Sequence, residues 1–207
     1  MCTAYELGKR GGSFPRHVKA RTAKELLGLS GTTLVRPTLP ALVMLADGEP
    51  TTMHWGFRRS FAAKTKGGKP IWRTIVNSRE DKLSGPTWRD AFAERRCMIP
   101  ASAFFEWVVK DGRNTPLRFT RPGDAWLWIA GIWEEHSEIG MCFSMITTEP
   151  NALVKPVHDR MPAILTDEQI SPFLAGELNE LGPSSVAVKF QEAENFLEPP
   201  SSQLELF

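Results

Sequence analysis

Cysteine is scarce in this sequence, long apolar runs are missing, and net charge is almost nil. Each shortage excludes something. Three cysteines in 207 residues, Cys2, Cys97 and Cys142, form an odd set without CxxC spacing. They argue against a disulfide framework or a thiolate zinc site and point to a reducing cytosol. No His/Cys/Asp cluster has ligand spacing, so no metal or other cofactor is implied. No stretch approaches the roughly 20 apolar residues of a membrane span, and no secretory apolar segment follows Met1. A cytoplasmic protein without a membrane partner is therefore expected, and a monomer is the expectation for assembly. Internal repeats are absent too, and a chain of this length suits one domain that buries roughly 70% of its unfolded surface.

The net charge of +1 is the remainder of two opposed halves. Residues 1–113 carry 20 Lys and Arg against 10 Asp and Glu, whereas residues 114–207 carry 5 against 14. A polyanion would be drawn to the first half, with an affinity that falls steeply with salt. Alternatively, the halves pack together and neutralise each other.

What is present reads as mainly β with several helices. Thr22-Ala23-Lys24-Glu25 has the form of a capping box opening a short helix through Leu26 and Leu27. Strand-like runs follow at Thr33–Val35, Ala41–Leu45 and Thr51–Trp55, broken by Pro37, Pro40 and an Asp47-Gly48 turn. Ser60–Lys69 is polar and basic and reads as an exposed loop, and Thr87–Arg96 as an amphipathic helix. Further strands are predicted at Cys97–Ile99, Ala103–Val109, Pro116–Thr120, Ala125–Trp133, Met141–Thr147 and Ser185–Phe190, with a turn at Lys110–Asn114. A second capping box, Thr166–Gln169, starts a helix that stops before Gly176. From residue 191 the chain reads as an acidic, flexible tail.

Chemistry concentrates in four places. Cys2 becomes the N-terminus once Met1 is removed, which places an α-amine and a thiol on adjacent carbons. The amine titrates near ~7.8 and the thiol near ~8.5, so both offer a nucleophilic fraction at neutral pH. A 1,2-aminothiol pairs with an aldehyde: the amine forms a Schiff base and sulfur closes a five-membered thiazolidine. Asn77 and Arg79 follow the apolar Ile75-Val76, and residues at i and i+2 of a strand share a face. Glu106 sits among Phe104, Phe105 and Trp107. Such surroundings raise a carboxyl pKa and suit it to general acid and base work, although strict alternation would turn Glu106 outward to solvent. His158 stands beside Asp159 and Arg160, with apolar Met161 and Pro162 following, and is either structural or part of a site.

Together these stretches resemble a known family. Met1-Cys2, Trp55-Gly56, Asn77-x-Arg79, Arg96-Cys97 with Pro100-Ala101 and Glu106-Trp107, and His158-Asp159-Arg160-Met161-Pro162 occur in the order and approximate spacing of the SRAP proteins. These are the SOS-response-associated peptidases, also called abasic site processing proteins. The resemblance covers roughly residues 1–190. It implies an α+β fold, mainly antiparallel β in a barrel-like bifurcated sheet surrounded by short helices. It further implies covalent capture of abasic sites in single-stranded DNA. In that reading Cys2 forms the thiazolidine, Asn77 positions the N-terminus, Glu106 transfers protons and His158 assists sugar ring opening. Arg79 and Arg160 match phosphate contacts. Trp55 matches a residue lining the DNA cleft, or else is a core aromatic, and Met161 and Pro162 either wedge at a strand junction or pack in the core. The family's peptidase label refers to self-cleavage that exposes the cysteine, and with only Met1 ahead of Cys2 no propeptide removal is expected. Many members continue Cys-Gly-Arg-Phe where this chain has Cys2-Thr3-Ala4-Tyr5, which removes one phosphate contact; Arg10 and Arg36 are the candidates to replace it.

The chain ends Gln203-Leu204-Glu205-Leu206-Phe207. This resembles the short motif by which bacterial polymerases and repair factors dock on the sliding clamp: one amide, then apolar anchors at Leu204, Leu206 and Phe207 on a Pro/Ser tether. Folding of those side chains onto the protein's own surface is the alternative. Two other functions compete with abasic-site capture. One is an N-terminal-nucleophile amidohydrolase using the Cys2 thiol. The other is a non-catalytic single-strand DNA adaptor.

Overall fold

A computed structural model describes residues 2–8, 10–11, 14–63 and 67–197. The strands are β1 (Tyr5–Gly8), β2 (Thr32–Val35), β3 (Pro40–Leu45), β4 (Pro50–Trp55), β5 (Phe57–Phe61), β6 (Ile71–Ile75) and β7 (Asn77–Arg79). They continue with β8 (Arg96–Ala101), β9 (Ala103–Lys110), β10 (Arg113–Thr120), β11 (Leu127–His136), β12 (Gly140–Thr148), β13 (Met161–Pro162) and β14 (Lys189–Glu192). Three helices accompany them: α1 (Ala20–Leu27), α2 (Arg89–Glu94) and α3 (Asp167–Leu174).

One sheet closes on itself. The order β11-β8-β3-β4-β12 returns to β11, because β12 pairs with both β4 and β11. Closure removes the free edges of those five strands, and the register sets Val43, Met53, Ile129 and Phe143 on one shared face, all buried. A second, open sheet runs β14-β10-β9-β1-β2. The chain passes from one sheet to the other at Ala101-Ser102-Ala103, where β8 ends and β9 begins. The mainly antiparallel α+β architecture is as expected; only the pairings of β12 with β4 and β7 are parallel among the described strands.

The edge of β12 positions the site. Its first half pairs with β4, through Cys142 with His54 and Phe143 with Trp55. At Gly56 the chain turns away, with φ +123 and so little room that a Cβ would lie 2.3 Å from Thr74 Cγ2. It runs out and back as a two-stranded ribbon, β5–β6, then rejoins the same edge as β7, where Asn77, Ser78 and Arg79 face Met145, Ile146 and Thr147. Trp55 Nε1 donates to Val76 O at 2.9 Å and closes the neck of this excursion.

Several expected elements shift. The helix thought to open at Thr22 begins at Ala20. Thr22 lies inside it, buried, and its hydroxyl donates to Gly48 O at 2.8 Å rather than capping. The Thr166–Gln169 capping box forms in full. Ser60–Lys69 is not all loop, since Ser60 and Phe61 belong to the ribbon. The last strand falls at Lys189–Glu192, across the boundary expected at residue 190, and Phe196 packs beyond it on Phe105 and Trp107. The ending from Gln203 to Phe207 lies outside the described residues.

Candidate functional site

Cys2 leads into β1 and is 1% exposed. Its thiol donates to Ala4 O at 3.2 Å, and Asn77 Nδ2 donates to Cys2 O at 2.8 Å. Asn77 is itself buried on β7, and its Oδ1 has no partner among the described residues. Glu106, also 1% exposed, sits on β9 beside this junction, because Phe105 N donates to Ala4 O at 3.1 Å and binds the start of the chain to that strand. Burial pushes the Glu106 carboxyl up to about 7, and the charge of Asp159 adds to the rise. Burial likewise pushes the Cys2 thiol up to about 12, with Glu106 contributing. The cysteine, the carboxyl and the Asp159 loop therefore share one electrostatic neighbourhood. At neutral pH it holds a protonated thiol and a carboxyl near its own midpoint.

His158 follows β12 on the loop toward β13. Its Nδ1 lies 3.0 Å from the Arg160 N–H and 2.9 Å from Asp159 Oδ1, and it can serve only one of them. Burial lowers the imidazole pKa below 6.5, so the neutral ring accepts from Arg160 and carries its proton on Nε2. The ring lines a cavity of about 520 Å³ with Glu149, Pro150, Lys155, Pro156, Val157 and Asp159.

Arg79 and Arg160 come together from β7 and the β13 approach. Arg79 forms a two-bond fork with Asp81, Nε to Oδ1 at 3.0 Å and Nη2 to Oδ2 at 2.9 Å. Buried Arg160 donates from Nη2 to Thr147 O and lies 3.9 Å from Asp81. Both line a second cavity of about 240 Å³.

Other expected contacts lie elsewhere. Trp55 has no exposed surface: it packs edge-on against Tyr5 and stacks on Phe143, so it cannot stack on a base in this conformation. Its indole instead fixes Val76, the residue before Asn77. Met161 and Pro162 are buried on β13, with Met161 Sδ accepting the Asn151 N–H, so they pack rather than wedge. Arg10 is taken up by Asp124 and Ser102 O, whereas Arg36 stays exposed.

Two features had no usable sequence signal. Thr147 is opposite Arg79 on β12, buried, with its hydroxyl unpartnered among the described residues. The ribbon carries exposed Phe61, Ile71 and Trp72, the last 50% exposed beneath the Arg58 guanidinium, and Arg73 lies over Phe61. The described residues include no group of three or more His, Cys, Asp or Glu able to hold a metal ion, and no helix long and apolar enough to cross a membrane.

Comparison with known proteins gives this arrangement a context. The sequence profile of the family described as SOS response associated peptidase (SRAP) matches residues 1–200. Abasic site processing protein YoqW of Bacillus subtilis (strain 168) is 33% identical over 150 residues, covering 68% of this chain and 65% of the relative. This chain thus spans less than two thirds of that relative's length. Abasic site processing protein HMCES of Xenopus tropicalis is 26% identical over 147 residues, 59% of this chain and 44% of the relative. A crystal structure of a protein from Bacteroides thetaiotaomicron shares the fold, with a TM-score of 0.70 at 20% identity, covering 94% of this chain and 93% of that one.

Proposed function

This chain belongs to the SOS response associated peptidase family, and we propose that it captures abasic sites in single-stranded DNA as a covalent crosslink to Cys2 after Met1 is removed. The observation that carries the reading is the hydrogen bond from Asn77 Nδ2 to Cys2 O beside a buried carboxyl titrating near 7. It fixes the backbone of the residue that must bear the amine, with a proton donor and acceptor next to it.

The order of steps follows from the protonation states. A C=N bond needs the nitrogen, and burial raises the thiol, so the Cys2 α-amine freed by loss of Met1 attacks the aldehyde carbon of the ring-opened sugar first. The carbinolamine hydroxyl leaves as water, taking a proton from Glu106, and a C=N bond remains. Nitrogen keeps its hydrogen as an iminium; sulfur adds to that carbon, and the thiol proton returns to the Glu106 carboxylate. One water is released per thiazolidine. His158, neutral at physiological pH because burial lowers its pKa, assists opening of the sugar ring. Arg79 and Arg160 take flanking phosphates, and the ribbon offers Trp72 beside Arg58 on one face and Phe61 beside Arg73 on the other as stacking surfaces. The ending Gln203-Leu204-Glu205-Leu206-Phe207 docks on a bacterial sliding clamp and brings this chemistry to replicating DNA.

The test is a denaturing gel. Protein is incubated with uracil-containing single-stranded DNA, with and without uracil-DNA glycosylase. A heat-stable shifted band is expected only with glycosylase, and neither Cys2→Ala nor a chain retaining Met1 should give it. A band that persists in Cys2→Ala would falsify the reading.

A further inference from the structure

We propose that the Asp81 carboxylate occupies the seat of a DNA phosphate between Arg79 and Arg160 and must be displaced when a strand binds. The inference rests on the abasic-site reading and concerns how the same site lets go of undamaged DNA.

The two acids at this turn have different work. Glu80 Oε1 accepts the N–H groups of Leu181, at 2.5 Å, and Gly182, at 2.8 Å, and so ties down the far wall of the 240 Å³ cavity. Asp81 ties down no backbone among the described residues. Its side chain is 46% exposed, and among the described residues its ion-pair partners are three cations: Arg79, Arg160 and, at 4.0 Å, Lys82. The Arg79 guanidinium holds the carboxyl below the usual carboxylate range, so the negative charge is present at neutral pH. The Nε/Nη2 edge that Arg79 gives to Asp81 is the edge that would fork onto a phosphate, since both anions accept the same two parallel bonds. Arg160 has donor capacity to spare, because its buried Nε has no partner among the described residues.

Charge around the cavity points the same way. Arg79 and Arg160 face Glu80, Asp81 and Glu149, so the lining is net negative while all three acids are ionised. An undamaged strand gains little there, because each phosphate contact first breaks the Arg79–Asp81 pair and then meets the freed carboxylate. Retention of a lesion would come from the covalent bond at Cys2, not from tight grip on the backbone. Asp81 keeps release of ordinary DNA fast.

The experiment measures fluorescence anisotropy of a short undamaged single-stranded oligonucleotide over a salt series. Asp81→Asn should tighten binding about three- to tenfold. It should also steepen the slope of log K against log salt by about 0.7, as expected for one more effective cation. In an Arg79→Ala background the gain should vanish. Asp81→Ser serves as a second variant, with thermal melts checking the fold of each. Unchanged or weaker binding, or a gain that survives without Arg79, overturns the proposal and makes Asp81 a positioning residue. Crosslinking of an abasic strand is read in the same preparations. Normal crosslinking with unchanged affinity sinks only the role of Asp81, whereas no crosslink in the wild type sinks the functional reading itself.

Discussion

Replacing Glu106 by glutamine removes one ionisation from a buried position and keeps the shape of the side chain. The carboxyl is pushed from 4.5 to about 7 by burial. A group that holds its proton more tightly when folded stabilises the fold below its unfolded pKa and loses that contribution as pH rises through the folded value. For Glu106 the window therefore runs from pH 4.5 to about 7. At about 1.4 kcal/mol per pH unit across that window, wild type should lose about 3 kcal/mol relative to Glu106→Gln. The assay is urea unfolding followed by tryptophan fluorescence at closely spaced pH values, with the same N-terminus in both proteins. The stability difference should be flat in acid, climb in favour of glutamine through the window, and level off in mild alkali. A difference that stays flat or falls with pH would refute the idea that this carboxyl is desolvated. The same variant carries a kinetic expectation. Crosslinking at saturating DNA should slow by about 100-fold, the usual size of a lost general acid and base, with little change in DNA affinity. Equal rates would remove Glu106 from the mechanism and leave it a buried carboxyl of the fold.

The ribbon reading predicts that Trp72→Ala weakens non-covalent binding of single-stranded DNA by roughly 1–3 kcal/mol, about 5- to 150-fold in Kd, with thermal stability unchanged. Equal affinity in a titration of both proteins would count against a stacking role. For the tail, the full chain should bind a bacterial sliding clamp in surface plasmon resonance, and a chain ending at Ser202 should not. Equal affinity, or none in either, would sink the docking idea.

Strand positions were legible in the sequence wherever apolar residues were bounded by strong turn signals, as between β3 and β4 at Asp47-Gly48. Residues that owe their environment to the second sheet were harder. Glu106 would face water if β9 had one wet side, but Ala103, Phe104, Phe105 and Glu106 are all buried because that part of the strand is covered on both faces. Alternation carries no information there. Trp55 was open to two readings because composition cannot tell a base-stacking ring from one that seals a neck between strands. Thr22 illustrates a local signal overridden by tertiary structure: its hydroxyl finds Gly48 O, and the helix starts upstream. The Ser60–Lys69 stretch carried polar residues suited to a loop, yet Ser60 and Phe61 complete β5 by pairing with Trp72 and Ile71. Asn77, Arg79, Glu106 and His158 were legible as chemistry; the placement of Asn77 and Arg79 required the parallel return of β7 to β12.

That return makes β12 a ruler shared by the scaffold and the chemistry. One continuous strand closes the barrel with its first half and sets the spacing of Asn77, Arg79, Thr147 and Met161 with its second. A slip of one residue between β7 and β12 would turn Asn77 away from Cys2 and send Arg79 to the opposite face. The site is therefore not a patch that can be lifted onto another scaffold by copying loops. Anyone transplanting it would have to carry the strand, its register and the barrel that holds the register fixed. For the same reason, cavity-forming substitutions at buried Val43, Ile129 and Phe143 belong on the list of changes that silence the reaction without touching a reacting atom.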